Sequence, residues 1–166
     1  MEKEKIIINL GSNSGKKGFN LYFALKQVAT NCKVISISNV YSSRSLLLDD
    51  QENYYNISAK IQTSFNPYEL LDFFKNIERR MGRIKNGRWQ SRIIDIDIVD
   101  YNFYVVNDNM LTLPHYDLQN RSFFLKPLMD IEPEYTHPIL SIKVSEMYAK
   151  LSYKYEIKNI GELKWP

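Results

Sequence analysis

The sequence predicts an α+β domain, and two observations carry that prediction. Stretches in which apolar residues alternate, and stretches in which they recur at helical spacing, follow one another as strand, helix, strand, strand, helix, strand. Where that order needs its second helix, "NPYE" (Asn66 to Glu69) spells a helix start, with Asn66 as N-cap, Pro67 in the first position and Glu69 closing a capping box.

Each element has its own justification. Ile6 to Leu10 is an apolar run that ends at the turn-forming "GSN" of Gly11 to Asn13, which predicts the first strand. Leu21, Ala24, Leu25 and Val28 recur at helical spacing and predict a helix ending near Thr30 and Asn31. Val34, Ile35, Ile37 and Val40 mark a second strand, and "YYNISAKIQTS" (Tyr54 to Ser64) alternates as a third. The connection between them, Ser42 to Asn53, is too long for a tight hairpin, and long loops in compact domains tend to carry function. Leu70, Leu71, Phe74, Ile77 and Met81 continue the apolar face of the second helix as far as Gly82, a helix stop. After a basic loop comes a strand carrying Asp95 and Asp97. This order is the split strand-helix-strand pattern of ferredoxin-like βαββαβ cores. Beyond Tyr101 the chain predicts a C-terminal elaboration: a strand pair around Val105 to Leu113, a short helix near Leu125 to Ile131, and a final strand or turn.

A chain of 166 residues fits one domain, 1–166, and its 44% hydrophobic and 13% aromatic content argues against disorder. The formal net charge of +3 is too balanced to make nucleic acid or an anionic membrane the default partner. The charge is nevertheless concentrated: Lys75, Arg79, Arg80, Arg83, Lys85, Arg88 and Arg92 face a single acid, Glu78, in their stretch, which marks a local anion site. Cys32 is the one cysteine, so neither an internal disulfide nor a cysteine-rich zinc site is expected. The charged N-terminus leads into too short an apolar run for a signal peptide, and no run approaches a membrane span. A cytoplasmic location follows by elimination, with no obligate protein partner and no fused enzyme expected.

In "RWQSRIIDIDIVDY" (Arg88 to Tyr101), strand alternation puts Ile94, Ile96 and Ile98 on one face and Asp95 and Asp97 on the other. Two neighbouring carboxylates raise each other's pKa, so they need water, arginines or a cation to stay ionised. A solvated sheet face and a magnesium site both meet that need. Magnesium prefers oxygen ligands and is often held by one or two carboxylates together with substrate phosphates. No Walker-type loop is present, so any phosphate must be gripped by side chains, a role for which arginine's planar fork is suited. His115 beside Tyr116, with Arg121 following, fits such a grip; alone it would serve equally well to bond a turn. Trp89 in a polar loop is placed to stack on a flat ring. Tyr54 and Asn56 share a face of the third strand, and an Asn side chain suits the amide-like edge of a heterocycle.

Taken together, "LGSN" at Leu10, "YYN" at Tyr54, "IERRMGR" at Ile77, "RWQSRIIDIDI" at Arg88 and "LPHYDLQNRSFFLKPL" at Leu113 resemble the 6-hydroxymethyl-7,8-dihydropterin pyrophosphokinases of folate biosynthesis, in the family's order and over roughly Ile6 to Leu128. The resemblance implies transfer of diphosphate from ATP to the pterin hydroxymethyl group, with release of AMP. It implies that Asp95 and Asp97 hold two magnesium ions, and that Arg83 and Arg92 join them in catalysis. By matching position, Glu78, Arg88, Trp89, Ile98, Thr112, His115, Tyr116 and Arg121 look like ATP-site residues. Ser43, Leu46, Tyr54, Asn56 and Phe123 look like the pterin site, with Phe123 stacking on the ring. The chain departs from the family in three places. "SSRSLLLDD" follows Tyr41 where a threonine and prolines are usual, "RWQSR" replaces "RWGPR", and one residue fewer separates Arg83 from Arg88. Two other readings are a nucleic-acid-binding module on the same sheet topology, which lacks an RNP1 pattern here, and a non-catalytic pterin-binding relative.

Overall fold

A computed structural model describes residues 5–44, 53–82, 93–151 and 157–164. The predicted core is present as β1 (Ile6–Ser12), α1 (Lys17–Val28), β2 (Lys33–Ile37), β3 (Asn39–Ser43), β4 (Tyr54–Gln62), α2 (Pro67–Arg80) and β5 (Asp95–Tyr101). The second predicted strand is thus two. Ser38 breaks it, donating its amide to the Ser58 carbonyl while its hydroxyl accepts the Ser58 amide. β6 (Val106–Asn107), β7 (Thr112–Leu113), α3 (Ser122–Ile131), α4 (Val144–Ala149) and β8 (Ile157–Glu162) form the elaboration.

The strands pair antiparallel in the order β5, β1, β4, β3, β8, with β2 also on β4. With β2 and β3 counted as one, the first four positions reproduce the ferredoxin-like arrangement, and β8 extends the sheet beyond β3. The C-terminal strand is therefore part of the main sheet.

α2 begins as its sequence predicts. The Asn66 side chain accepts the amides of Tyr68 and Glu69, the Glu69 carboxylate accepts the Asn66 amide at 2.8 Å, and such a cap contributes about 1 kcal/mol. It ends where Gly82 takes a left-handed φ of +90°, which a side chain would oppose.

Two apolar clusters flank the sheet. Under α1 and α2 lie Ile6, Ile8, Leu10, Ile57, Ala59, Ile61, Ile94, Ile96 and Ile98. On the α3 and α4 side lie Ile7, Val99, Phe124, Leu125, Leu128 and Tyr135. A bulge between β1 and β5 reconciles the two. Ile8 faces Ile98 but Ile7 faces Asp100, so Val99 is an extra residue and both it and Asp100 turn toward α3 and α4. There Asp100 is 1% exposed, and its Oδ2 accepts the Tyr135 hydroxyl at 2.6 Å while Oδ1 accepts the Phe103 amide at 2.8 Å. Burial pushes its pKa up against these two bonds.

Candidate active site

Asp95 and Asp97 stand half-buried on the face of β5 opposite Ile96 and Ile98. Cross-strand pairing extends them into two polar rows. Asp97 faces Asn9, which faces Ser58; Asp95 faces Gly11, which faces Asn56. Gly11 leaves room for that second row, because a Cβ there would lie 2.6 Å from Asn56 Oδ1 and displace the amide. The missing side chain lets the Asn56 amide lie across β1 on the carboxylates' face. Tyr54 is half-buried two residues before Asn56, and Ser43 is buried opposite Tyr54 on β3.

β5 is the edge strand, and a cleft of about 230 Å³ runs beside it, lined by Leu71 and Lys75 of α2, by Ile96 to Ile98, by Asp108 to Thr112, and by His115 and Tyr116. The bulge holds its far wall, since the Val99 carbonyl accepts the His115 amide at 2.8 Å. Tyr68 bonds Asp108, whose other oxygen accepts the amides of Met110 and Leu111, so the N-terminus of α2 fixes the rim.

His115 stacks on Tyr116 with ring centroids 4.7 Å apart and tilts against Phe124 at 4.6 Å; Phe124 lies 4.7 Å from Phe123. An aromatic row thereby joins the cleft to the first turn of α3. Burial lowers the His115 pKa from 6.5 to about 4, outweighing the attraction of Asp117. Its Nδ1 accepts the Asp117 amide at 3.2 Å, which leaves the proton of the neutral ring on Nε2. Arg121 Nε donates to Asp117 Oδ2 at 2.5 Å. Burial raises the Asp117 pKa, but the bonds from Arg121 and Asn120 more than reverse it.

The donor set fits a hard divalent cation. Two carboxylates one residue apart, beside a cleft and with amide and hydroxyl side chains around them, match an ion that keeps most of its shell for water and phosphate oxygen. Among the described residues no group of three or more His, Cys, Asp or Glu side chains gathers into an all-protein cage.

Residues 7–133 match the family described as 7,8-dihydro-6-hydroxymethylpterin-pyrophosphokinase, HPPK. The chain belongs to that family. It is similar to the 2-amino-4-hydroxy-6-hydroxymethyldihydropteridine pyrophosphokinase of Haemophilus influenzae, 38% identical over 79% of this chain and 83% of that protein, and to its namesake in Aquifex aeolicus, 37% identical over 81% and 84%. A folic acid synthesis protein of Dictyostelium discoideum is 36% identical over 93% of this chain, which spans only 24% of that longer protein. In fold, a wild-type HPPK-DHPS of Plasmodium falciparum superposes with a TM-score of 0.72 at 18% identity, over 90% of this chain and 45% of that one. HPPK family members are pyrophosphokinases of folate synthesis.

Of the residues matched to HPPK motifs, the structure brings Asp97, Ile98, Thr112, His115 and Tyr116 to one cleft, with Asp95 beside them. Phe123 is half-buried at the start of α3, tied to the sheet through its carbonyl. Glu78 does not line the cleft. It is 2% exposed, its Oε1 accepts the amide of Ile96 between the two carboxylates at 2.8 Å, and Lys75 Nζ lies 3.6 Å from its Oε2. Leu46, Arg83, Arg88, Trp89 and Arg92 lie outside the described residues. The sequence reading missed Leu71 and Lys75 as cleft residues and Asn9 as part of the polar row. An amide inside the apolar run "IIINL" was the available signal for Asn9, and membership of the basic stretch was the signal for Lys75; Leu71, read as part of the apolar face of its helix, carried none.

Proposed function

We propose that the chain transfers diphosphate from ATP to the hydroxymethyl group of 6-hydroxymethyl-7,8-dihydropterin, releasing AMP. The observation that carries the proposal is that Asp95 and Asp97 share a face of the sheet with the Asn56 amide, while the cleft along the β5 edge reaches Asp97. The pterin oxygen attacks the β-phosphorus, its proton passes to solvent water, the bond from β-phosphorus to the α-bridging oxygen breaks, and AMP leaves with that oxygen.

Such a transfer depends mainly on positioning and charge stabilisation. The nucleotide occupies the cleft, with Leu71, Ile98 and Leu111 offering apolar walls and Thr112 a hydroxyl. Asp95 and Asp97 would hold two magnesium ions, which when bound would supply charge neutralisation at the phosphate oxygens and make the attacking hydroxyl more acidic. His115 contributes an Nε2–H donor; with its pKa near 4 it is not a cation at neutral pH. Tyr116 and Arg121 flank the phosphate side, and Arg83, Arg88, Trp89 and Arg92 are assigned there by their matching positions. The pterin takes the other side, with Phe123 against its face, Asn56 at its amide-like edge, and Ser43, Leu46 and Tyr54 around it. Glu78 serves the ATP site from beneath, by anchoring the edge strand at the Ile96 amide.

The test is a nucleotide assay with ATP, magnesium and the pterin, resolving AMP from ADP, with chelator and no-pterin controls. AMP formation that requires both magnesium and pterin is expected. ADP in place of AMP, or no turnover by protein that binds pterin, would refute the proposal.

A further inference from the structure

Asn9 sits at the centre of β1, 2% exposed, between Asp97 on β5 and Ser58 on β4. Its Nδ2 donates to the Phe123 carbonyl at 2.9 Å and to Ser58 Oγ at 3.3 Å. The first bond joins residues 114 apart in sequence, and its acceptor is unusual. Phe123 is the second residue of α3, and an α-helix would point the amide of the residue four further on at its carbonyl. That residue is Pro127, which has no N–H. A helical carbonyl robbed of its partner needs another donor, and the strand supplies one from the side chain next to the carboxylate pair.

We infer that Asn9 is a positioning residue for the pterin site: by supplying the donor that Pro127 lacks, it pins the first turn of α3 to β1 and fixes how far the Phe123 ring stands from Asp97. The inference rests on the proposed function. The two residues complement each other: Pro127 withdraws the i+4 donor from the Phe123 carbonyl, and Asn9 supplies one from the sheet. Ser58 holds the amide in place from the other side, and it is itself held through its backbone amide by the Ser38 hydroxyl at 2.9 Å.

The pair permits a test that separates placement from simple hydrogen-bond satisfaction. Asn9→Ala removes the donor that comes from the sheet; Pro127→Ala returns the i+4 helical donor without returning the tether. Pterin affinity, affinity for a non-hydrolysable ATP analogue and melting temperature are measured for wild type, each single variant and the double variant. Asn9→Ala is expected to weaken pterin binding about tenfold, to leave nucleotide binding nearly unchanged and to lower the melting temperature. The double variant is expected to regain melting temperature relative to Asn9→Ala but not pterin affinity. Pterin affinity that is unchanged in Asn9→Ala, or that recovers in step with stability in the double variant, overturns the role of Asn9 alone. A wild-type protein that binds no pterin overturns the reading of the site beneath it as well.

Discussion

The two faces of the central sheet are made from the same strands, yet they are built to different rules. Toward α1 and α2, β1, β4 and β5 present Ile6, Ile8, Leu10, Ile57, Ala59, Ile61, Ile96 and Ile98 without a polar interruption. Toward α3 the same strands begin with Ile7 and Val99 and then turn polar, through Asn9, Ser58, Asn56, Asp95 and Asp97. The first face buries apolar area and stabilises the fold; the second gathers like charges, which weaken it, among buried polar side chains that must each be bonded to be tolerated. Residues retained at such a cost are the ones to suspect of function, and the contrast predicts opposite responses to substitution on the two faces.

The largest expected difference is between neighbours on β5. Asp97→Ala should lower turnover about a thousandfold, several kcal/mol in the transition state, while leaving the melting temperature equal or higher. Ile96→Ala, one residue away and 1% exposed in the other cluster, should cost about 2–5 kcal/mol of stability and, because the side chain also borders the cleft, weaken nucleotide affinity by a small factor without a comparable loss of turnover in the folded fraction. Activity assays paired with denaturant titrations distinguish the two. Comparable loss of activity in both variants, or loss of stability in both, would collapse the contrast.

His115 allows the polar side to be probed by pH. Its folded pKa, near 4, lies below its ordinary 6.5, so between those values the unfolded chain binds the proton and the folded chain does not. Stability therefore falls as pH drops from about 6.5 toward 4, by on the order of 3 kcal/mol, and this group adds no further slope below that window. His115→Gln should flatten that part of the stability profile, measured by denaturant titration in chelator without nucleotide. A profile as steep in the variant as in wild type would mean that other groups carry the acid sensitivity. Above pH 6.5 the imidazole is already neutral in both states, so nucleotide affinity should show no His115 titration between pH 7 and 8.

How much of this was legible in the sequence follows the same division. The apolar face was readable because alternation is local: Ile94, Ile96 and Ile98 declare it within five residues, and the capping box of α2 declares itself within four. The carboxylate pair was legible for the same reason, and the family motifs added the cleft residues Thr112, His115 and Tyr116. What stayed hidden depends on partners distant in the chain. The break at Ser38 is made by Ser58, the bulge at Val99 by its register with β1 and the Asp100 bond to Tyr135, and the role of Asn9 by a proline 118 positions on. α4 has six residues, too few for a helical period to stand out, and β8, expected only as a final strand or turn, is largely exposed, so it lacks the alternation that identifies a half-buried strand.

The smallest expected effect is also the sharpest probe of the polar rows. Gly11 lies on β1 between Asp95 and Asn56, and its backbone is outside the left-handed region, so alanine there meets no conformational penalty. It does meet Asn56: the new Cβ would lie 2.6 Å from Oδ1 and 3.5 Å from Cγ, while the Tyr54 ring at 3.9 Å would feel only ordinary contact. The amide must therefore swing off β1, away from the carboxylates' face, with the backbone pairing left intact. Gly11→Ala should weaken pterin binding about fivefold, near 1 kcal/mol, with nucleotide affinity unchanged. Stability should hold level or rise slightly, since the added methyl group restricts the unfolded chain. Titration of the variant with pterin and with an ATP analogue checks both halves of the expectation. Pterin affinity that survives the substitution would show that the position of the Asn56 amide over Gly11 is incidental, and that the glycine is kept for something other than the room it leaves.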